Sequence, residues 1–87
     1  MDVRDIIKAL ARNQEYDLTD HCLDEMDKDG LSIEQVEYVM LKGTIVKRCR
    51  ETNRYTLKNQ GIMISVELSD SGEDYFATVV TAGRERR

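Results

Sequence analysis

The chain has 87 residues, enough for one domain with a single core and too few for a second. Hydrophobic residues make up 40% and charged residues 34%, so most apolar side chains are committed to that core and few remain for a large apolar ligand site. The net charge of −4 excludes a protein that coats nucleic acid with its whole surface, and no apolar run approaches the roughly 20 residues that span a bilayer.

The average charge hides a split. Residues 1 to 41 carry eleven acids against Arg4, Lys8, Arg12 and Lys28, whereas residues 42 to 58 carry six bases against Glu51 alone. Such blocks mark either a basic face on an acidic body or a solvated surface. The start of the chain lacks the layout of a secretory signal, which makes a cytoplasmic location the expectation. Cys22 and Cys49 stand 27 positions apart, form no CxxC pair and fit small buried hydrophobes. With a single histidine, the chain is expected to hold no metal and no cofactor.

In chain order, Asp2 caps a first helix whose Val3, Ile6, Ile7 and Leu10 form one apolar stripe and which ends near Asn13. Tyr16-Asp17-Leu18 reads as a connector. Thr19 or Asp20 caps a second helix with Cys22, Leu23 and Met26 inward, closed by Gly30. Ser32 and Gln35 have capping-box spacing for a third helix, with Ile33, Val36, Val39 and Met40 inward and Gly43 as its stop. The short turn at Gly30 predicts that the second and third helices pack on each other.

From Thr44 the pattern alternates. Residues 44–50 form a strand and a turn at Glu51-Thr52-Asn53 leads into a second, Arg54 to Lys58. A turn at Asn59-Gln60-Gly61 precedes a strand in which Ile62, Ile64, Val66 and Leu68 alternate with polar positions. A turn at Ser69-Asp70-Ser71-Gly72 precedes the last strand, Tyr75 to Ala82, which reads as covered on both faces. After Gly83 a basic tail, residues 83–87, is expected to be mobile. The expected fold is therefore α+β, one domain in which three N-terminal helices pack on one face of a four-stranded antiparallel meander and the other face is open to a ligand.

Thr19, His21, Met26, Gly30, Leu31-Ser32-Ile33 and Gly43, followed by Arg54-Tyr55, a long apolar strand and Thr81, resemble the domain-of-unknown-function family 4258. The resemblance covers residues 16 to 82 and leaves the first helix, residues 1–14, as an addition. Members look like distant relatives of the RelE and BrnT ribonuclease toxins, and some are thought to pair with a small antitoxin. This implies an RNA-cleaving toxin or a descendant of one, with RNA and an antitoxin-like protein as partners. Family members usually carry an arginine before the methionine, where this chain has Glu25.

Metal-free RNA cleavage needs proton transfer and cations beside the phosphorane. His21 suits the proton transfer, and helix capping or filling of the helix–sheet junction is its structural alternative. Arg54, with Tyr55, completes the catalytic candidates, and Lys47, Arg48, Arg50 and Arg84 are the candidate phosphate contacts. Alternation separates Lys47 from Arg48 and Arg50, and sets Tyr55 with Leu57 on the core side. The alternatives are a non-catalytic protein-interaction module and a homodimer formed through an exposed sheet edge.

Overall fold

The computed structural model describes residues 2–72 and 74–85. Helix α1 (Val3–Arg12) starts at Asp2, whose carboxylate accepts from the Arg4 amide, and buries Ile6, Ile7, Leu10 and Ala11. Strand β1 (Tyr16–Leu18) leads into α2 (Asp20–Asp29). The N-cap of α2 is Thr19, which accepts from Cys22 N at 3.0 Å, and Gly30 closes the helix in the left-handed conformation. Helix α3 (Ile33–Lys42) carries the complete capping box: Gln35 N donates to Ser32 Oγ at 3.2 Å and Ser32 N donates to Gln35 Oε1 at 2.8 Å.

The strands that follow are β2 (Thr44–Cys49), β3 (Arg54–Asn59), β4 (Ile62–Asp70) and β5 (Tyr75–Arg84). Gln60 and Gly61, both with positive φ, make the two-residue turn that suits the right-handed twist of β3 and β4. Asn53 stabilises the other end of this pair. Its amide side chain donates to Leu68 O at 2.7 Å, its carbonyl accepts from Leu68 N, and its Oδ1 accepts from the Tyr55 hydroxyl at 3.1 Å.

The expected four-stranded antiparallel meander is overturned. The sheet has five strands in the order β1-β5-β4-β3-β2 and is mixed, because β1 runs parallel to β5 with Tyr16, Asp17 and Leu18 opposite Ala77, Thr78 and Val79. The segment read as a connector is thus a strand. Three residues carry only one cycle of alternation, too little to register as a period, and their partner lies almost at the far end of the chain. Tyr16 is held there by a hydrogen bond to Glu37 Oε1 at 2.7 Å, which ties β1 to α3.

Helix packing also differs. Helix α3 packs against α1 and on β3 and β4, while α2 packs on β5. At one end of α2, Thr19 Oγ1 donates to Val80 O at 3.1 Å, and at the other Arg84 N donates to Asp29 Oδ2 at 2.9 Å. The helix therefore closes the edge of β5 that the short β1 leaves uncovered, a common means of protecting a sheet edge. Because α2 straddles an edge, Cys22 and Met26 are buried but Leu23 is 44% exposed; Ile33, also expected inward, stands at the first turn of α3 and is 51% exposed.

The core face of the sheet carries Tyr55, Leu57, Ile64, Val66, Leu68, Ala77, Val79 and Ala82. Strand β5 is buried on that face alone, with Tyr75 and Phe76 exposed, so it is not covered on both sides. Strand β4 extends through Ser69 and Asp70, which pair with Phe76 and Tyr75, and this moves the expected turn toward Asp74. Strand β5 includes Arg84, and Glu85 N donates to Gly61 O at 2.6 Å, so the first part of the expected tail belongs to the sheet. Arg86 and Arg87 lie outside the described residues.

Candidate functional site

Cross-strand pairing determines what the helix-free face displays, because paired residues share a face. The pairs Thr56 with Ser65 and Ser65 with Thr81 set three hydroxyl residues in a row across β3, β4 and β5, opposite in sense to the buried Leu57, Ile64 and Ala82. Thr56 Oγ1 and Ser65 Oγ are 3.3 Å apart. A parallel row holds Cys49, Arg54, Glu67 and Thr78, and another holds Thr44, Lys58, Met63 and Gly83.

Against this face, α2 builds one wall of a groove of about 620 Å³. His21 and Glu25, one helical turn apart, face Met63, Ser65, Thr81, Gly83, Arg84 and Glu85. The geometry follows from the burial of Cys22 and Met26: pinning those positions in the core turns their neighbours 21 and 25 toward the outer surface of the sheet. His21 is exposed at the rim rather than packed in the helix–sheet junction. The Thr19 hydroxyl, not the imidazole, caps the helix.

The groove brings together two of the sequence candidates from opposite ends of the chain, His21 and Arg84. Arg84 is oriented by Nε, which donates to Asp29 O at 2.9 Å, so its guanidinium sits against the C-terminus of α2, where a cation is favoured. The other candidates are distributed differently. Arg54 lies on the helix-free face, its Nε donating to Glu67 Oε2 at 2.9 Å. Lys47 shares that face through its pairing with Thr56. Arg48 pairs with Tyr55 and so belongs to the opposite face, where it borders a recess with Arg4, Gly43, Thr44 and Ile45. Arg50 is exposed at the start of the β2–β3 turn. Tyr55 is 7% exposed and sits in the core, its hydroxyl engaged by Asn53, which removes it from the groove.

Glu25, Ser65 and Thr81 line the groove and were not among the sequence candidates. The alternation of β4 already set Ser65 opposite the buried Ile64 and Val66, and the spacing of four set Glu25 beside His21. What the sequence lacked was the pairing of β4 with β5 through a bulge, where Ser65 meets Thr81 but Val66 meets Val79. Lys58 forms an ion pair with Glu85, and this joins the groove to the basic side of the sheet.

The two thiols differ sharply. Cys22 is buried, its sulfur 3.8 Å from that of Met26, and burial pushes its pKa up. Cys49 is exposed on the helix-free face, where hydrogen bonding from the Thr52 side chain and then its backbone, with Lys47 nearby, pulls its pKa down. The reading of both cysteines as buried hydrophobes therefore fits Cys22 alone.

Among the described residues, no helix is long and apolar enough to cross a membrane. No curated protein and no solved structure matches the chain significantly. A family match does exist, and it runs from the last residue of β1 to the last residue of β5, taking in every wall of the groove: over residues 18–84 the chain belongs to the family described as Domain of unknown function (DUF4258).

Proposed function

We propose that this protein is a toxin-like RNA-binding domain of the cytoplasm that takes single-stranded RNA on the helix-free face of its sheet and cleaves it without a metal. The observation that carries the reading is the shared groove: a solvent-accessible imidazole, a carboxylate, two hydroxyl residues and a guanidinium converge there from α2, β4 and β5. His21 takes the proton of a ribose 2′-hydroxyl, the 2′-oxygen attacks the adjacent phosphorus, and the bond to the 5′-oxygen breaks as that oxygen takes a proton from water in the open groove. The products are a 2′,3′-cyclic phosphate and a 5′-hydroxyl. Glu25 is the second titratable group at the site, and Arg84 stabilises the charge that develops on the phosphorane oxygens. Lys58, Arg54 and Lys47 continue the track along the same face.

Lys47, Arg54 and Lys58 on the helix-free face and Arg84 at the groove give the test a magnitude when each neutralises one phosphate, Arg54 and Lys58 by exchanging Glu67 and Glu85 for it. For single-stranded nucleic acid the slope of log affinity against log salt is about −0.7 per neutralised phosphate, so raising salt from 50 to 200 mM weakens binding by about 50-fold. Fluorescence anisotropy with a labelled RNA reads this directly. His21→Ala is expected to bind RNA within a few-fold of the wild type and to lose cleavage by about 100-fold or more, with an unchanged circular dichroism spectrum. Arg84→Ala weakens binding. RNA that stays whole and unbound at 50 mM salt overturns the reading.

A further inference from the structure

The two edges of the sheet are treated differently. On the β5 side, β1 and then α2 cover the outer backbone groups, with Thr19 and Asp29 supplying side-chain partners to Val80 and Arg84. On the other side the sheet ends at β2, whose outward N–H and C=O groups face no further strand. We propose that this edge is a docking site for an extended, acidic segment of a partner protein, which adds to β2 as a sixth strand. The proposal does not depend on the RNA-binding reading.

Charge selects the occupant. Lys47 and Arg48 lie on the strand and Arg50 follows it; all three are exposed and make no ion pair among the described residues. A second copy of this chain pairing through β2 would set these cations against their own images, which is unfavourable for directly opposed like charges. An acidic strand meets them with opposite charge on both of its faces, because Lys47 and Arg48 project to opposite sides. The bulge between Ile45 and Lys47 leaves the regular ladder from Lys47 to Cys49. That ladder is as long as the one by which β1 adds to β5. Val46, 54% exposed at the bulge, offers the incoming strand one apolar contact. A row of unpaired peptide groups matches another peptide and has no counterpart in a nucleic acid backbone, so the edge points to protein rather than RNA.

The probe is a peptide of about eight residues in which adjacent glutamate pairs are separated by valine pairs, so that carboxylates project from both faces of the strand, with amide hydrogen exchange read residue by residue on the intact protein. The expected result is slowed exchange at the outward amides of β2, binding at least tenfold weaker for the same peptide carrying lysine for glutamate, and loss of binding for one with proline at alternate positions. Lys47→Glu with Arg48→Glu reverses the charge preference and keeps the strand, as its unchanged amide spectrum would verify. The proposal falls if the acidic peptide protects no β2 amide, if the proline peptide binds equally well, if an oligonucleotide protects the same amides, or if the free protein already pairs with itself through β2.

Discussion

Arg4 is the residue whose removal tests the packing logic most directly. Its side chain crosses from α1 to the end of α3, where Nη1 donates to Met40 O at 2.7 Å and Nε donates to Gly43 O at 2.8 Å. These are terminal carbonyls without a helical partner, and a cation there also opposes the negative end of the helix. Hydrogen bonds from a charged donor contribute about 1.5–3 kcal/mol each, giving roughly 3–6 kcal/mol for the pair. Two features reduce this figure. Arg4 is only half-buried, so water replaces part of what alanine removes, and its buried Nη2 has no partner among the described residues. Burial also opposes the charge, as the lowered pKa of Arg4 records. A net loss of about 2 kcal/mol for Arg4→Ala remains, which in a domain of this size lowers Tm by roughly 8–16 °C. Arg4→Lys presents one compact charge in place of the fork and is expected to recover about half. Thermal unfolding followed by circular dichroism decides it. A Tm drop below about 3 °C for Arg4→Ala, or a lysine variant no better than alanine, would refute the argument.

Two further outcomes follow from the ionisable groups. Burial first, and then the hydrogen bond to Glu37, raises the Tyr16 pKa above its ordinary value of 10.0. The folded state thus holds the phenolic proton more tightly than the unfolded chain, and this stabilisation is complete below pH 10 and lost as pH rises beyond it. Urea titrations from pH 8 to 11 are expected to show wild-type stability falling more steeply than that of Tyr16→Phe; parallel curves would contradict the assignment. For the thiols, a colorimetric disulfide reagent is expected to modify one cysteine in the native protein and two in denaturant. Peptide mass mapping should locate the fast site at Cys49, and native labelling that persists in Cys49→Ser would be evidence against this ordering.

The three helices and their caps were readable because each signal is local: Thr19, Ser32 with Gln35, and Gly30 act within one turn of where they stand. Strand β4 was readable because its alternation persists over seven residues, β2 and β3 because polar turns bound them, and β5 because β-branched and aromatic residues crowd it. Strand β1 was not, since its identity depends on β5 and not on its own side chains. The same lack of long-range information put Leu23 inside, because helical spacing tells which residues share a stripe but not whether the helix lies over a sheet or along its edge, and it put Ile33 inside although it stands at the first, exposed turn of α3. At the groove, His21 and Arg84 were identified singly. Their meeting needed the closure of α2 on β5, and Arg54, expected beside them, stands on β3 and is engaged by Glu67 of the neighbouring strand β4.

The parallel pairing of β1 with β5 joins segments from nearly opposite ends of the chain, whereas β2 through β5 are linked by short turns. Closing the longer loop costs more conformational entropy, and its three-residue ladder repays little of that by itself. Local opening is therefore expected to begin at β1 and to carry α2 with it, leaving the hairpins in place. His21 and Glu25 ride on the segment that opens, while Ser65 and Thr81 stay with the sheet. The groove lies between that segment and the sheet, so any ligand that bridges its walls is expected to stabilise the closed form by mass action, tying occupancy of the site to the persistence of β1.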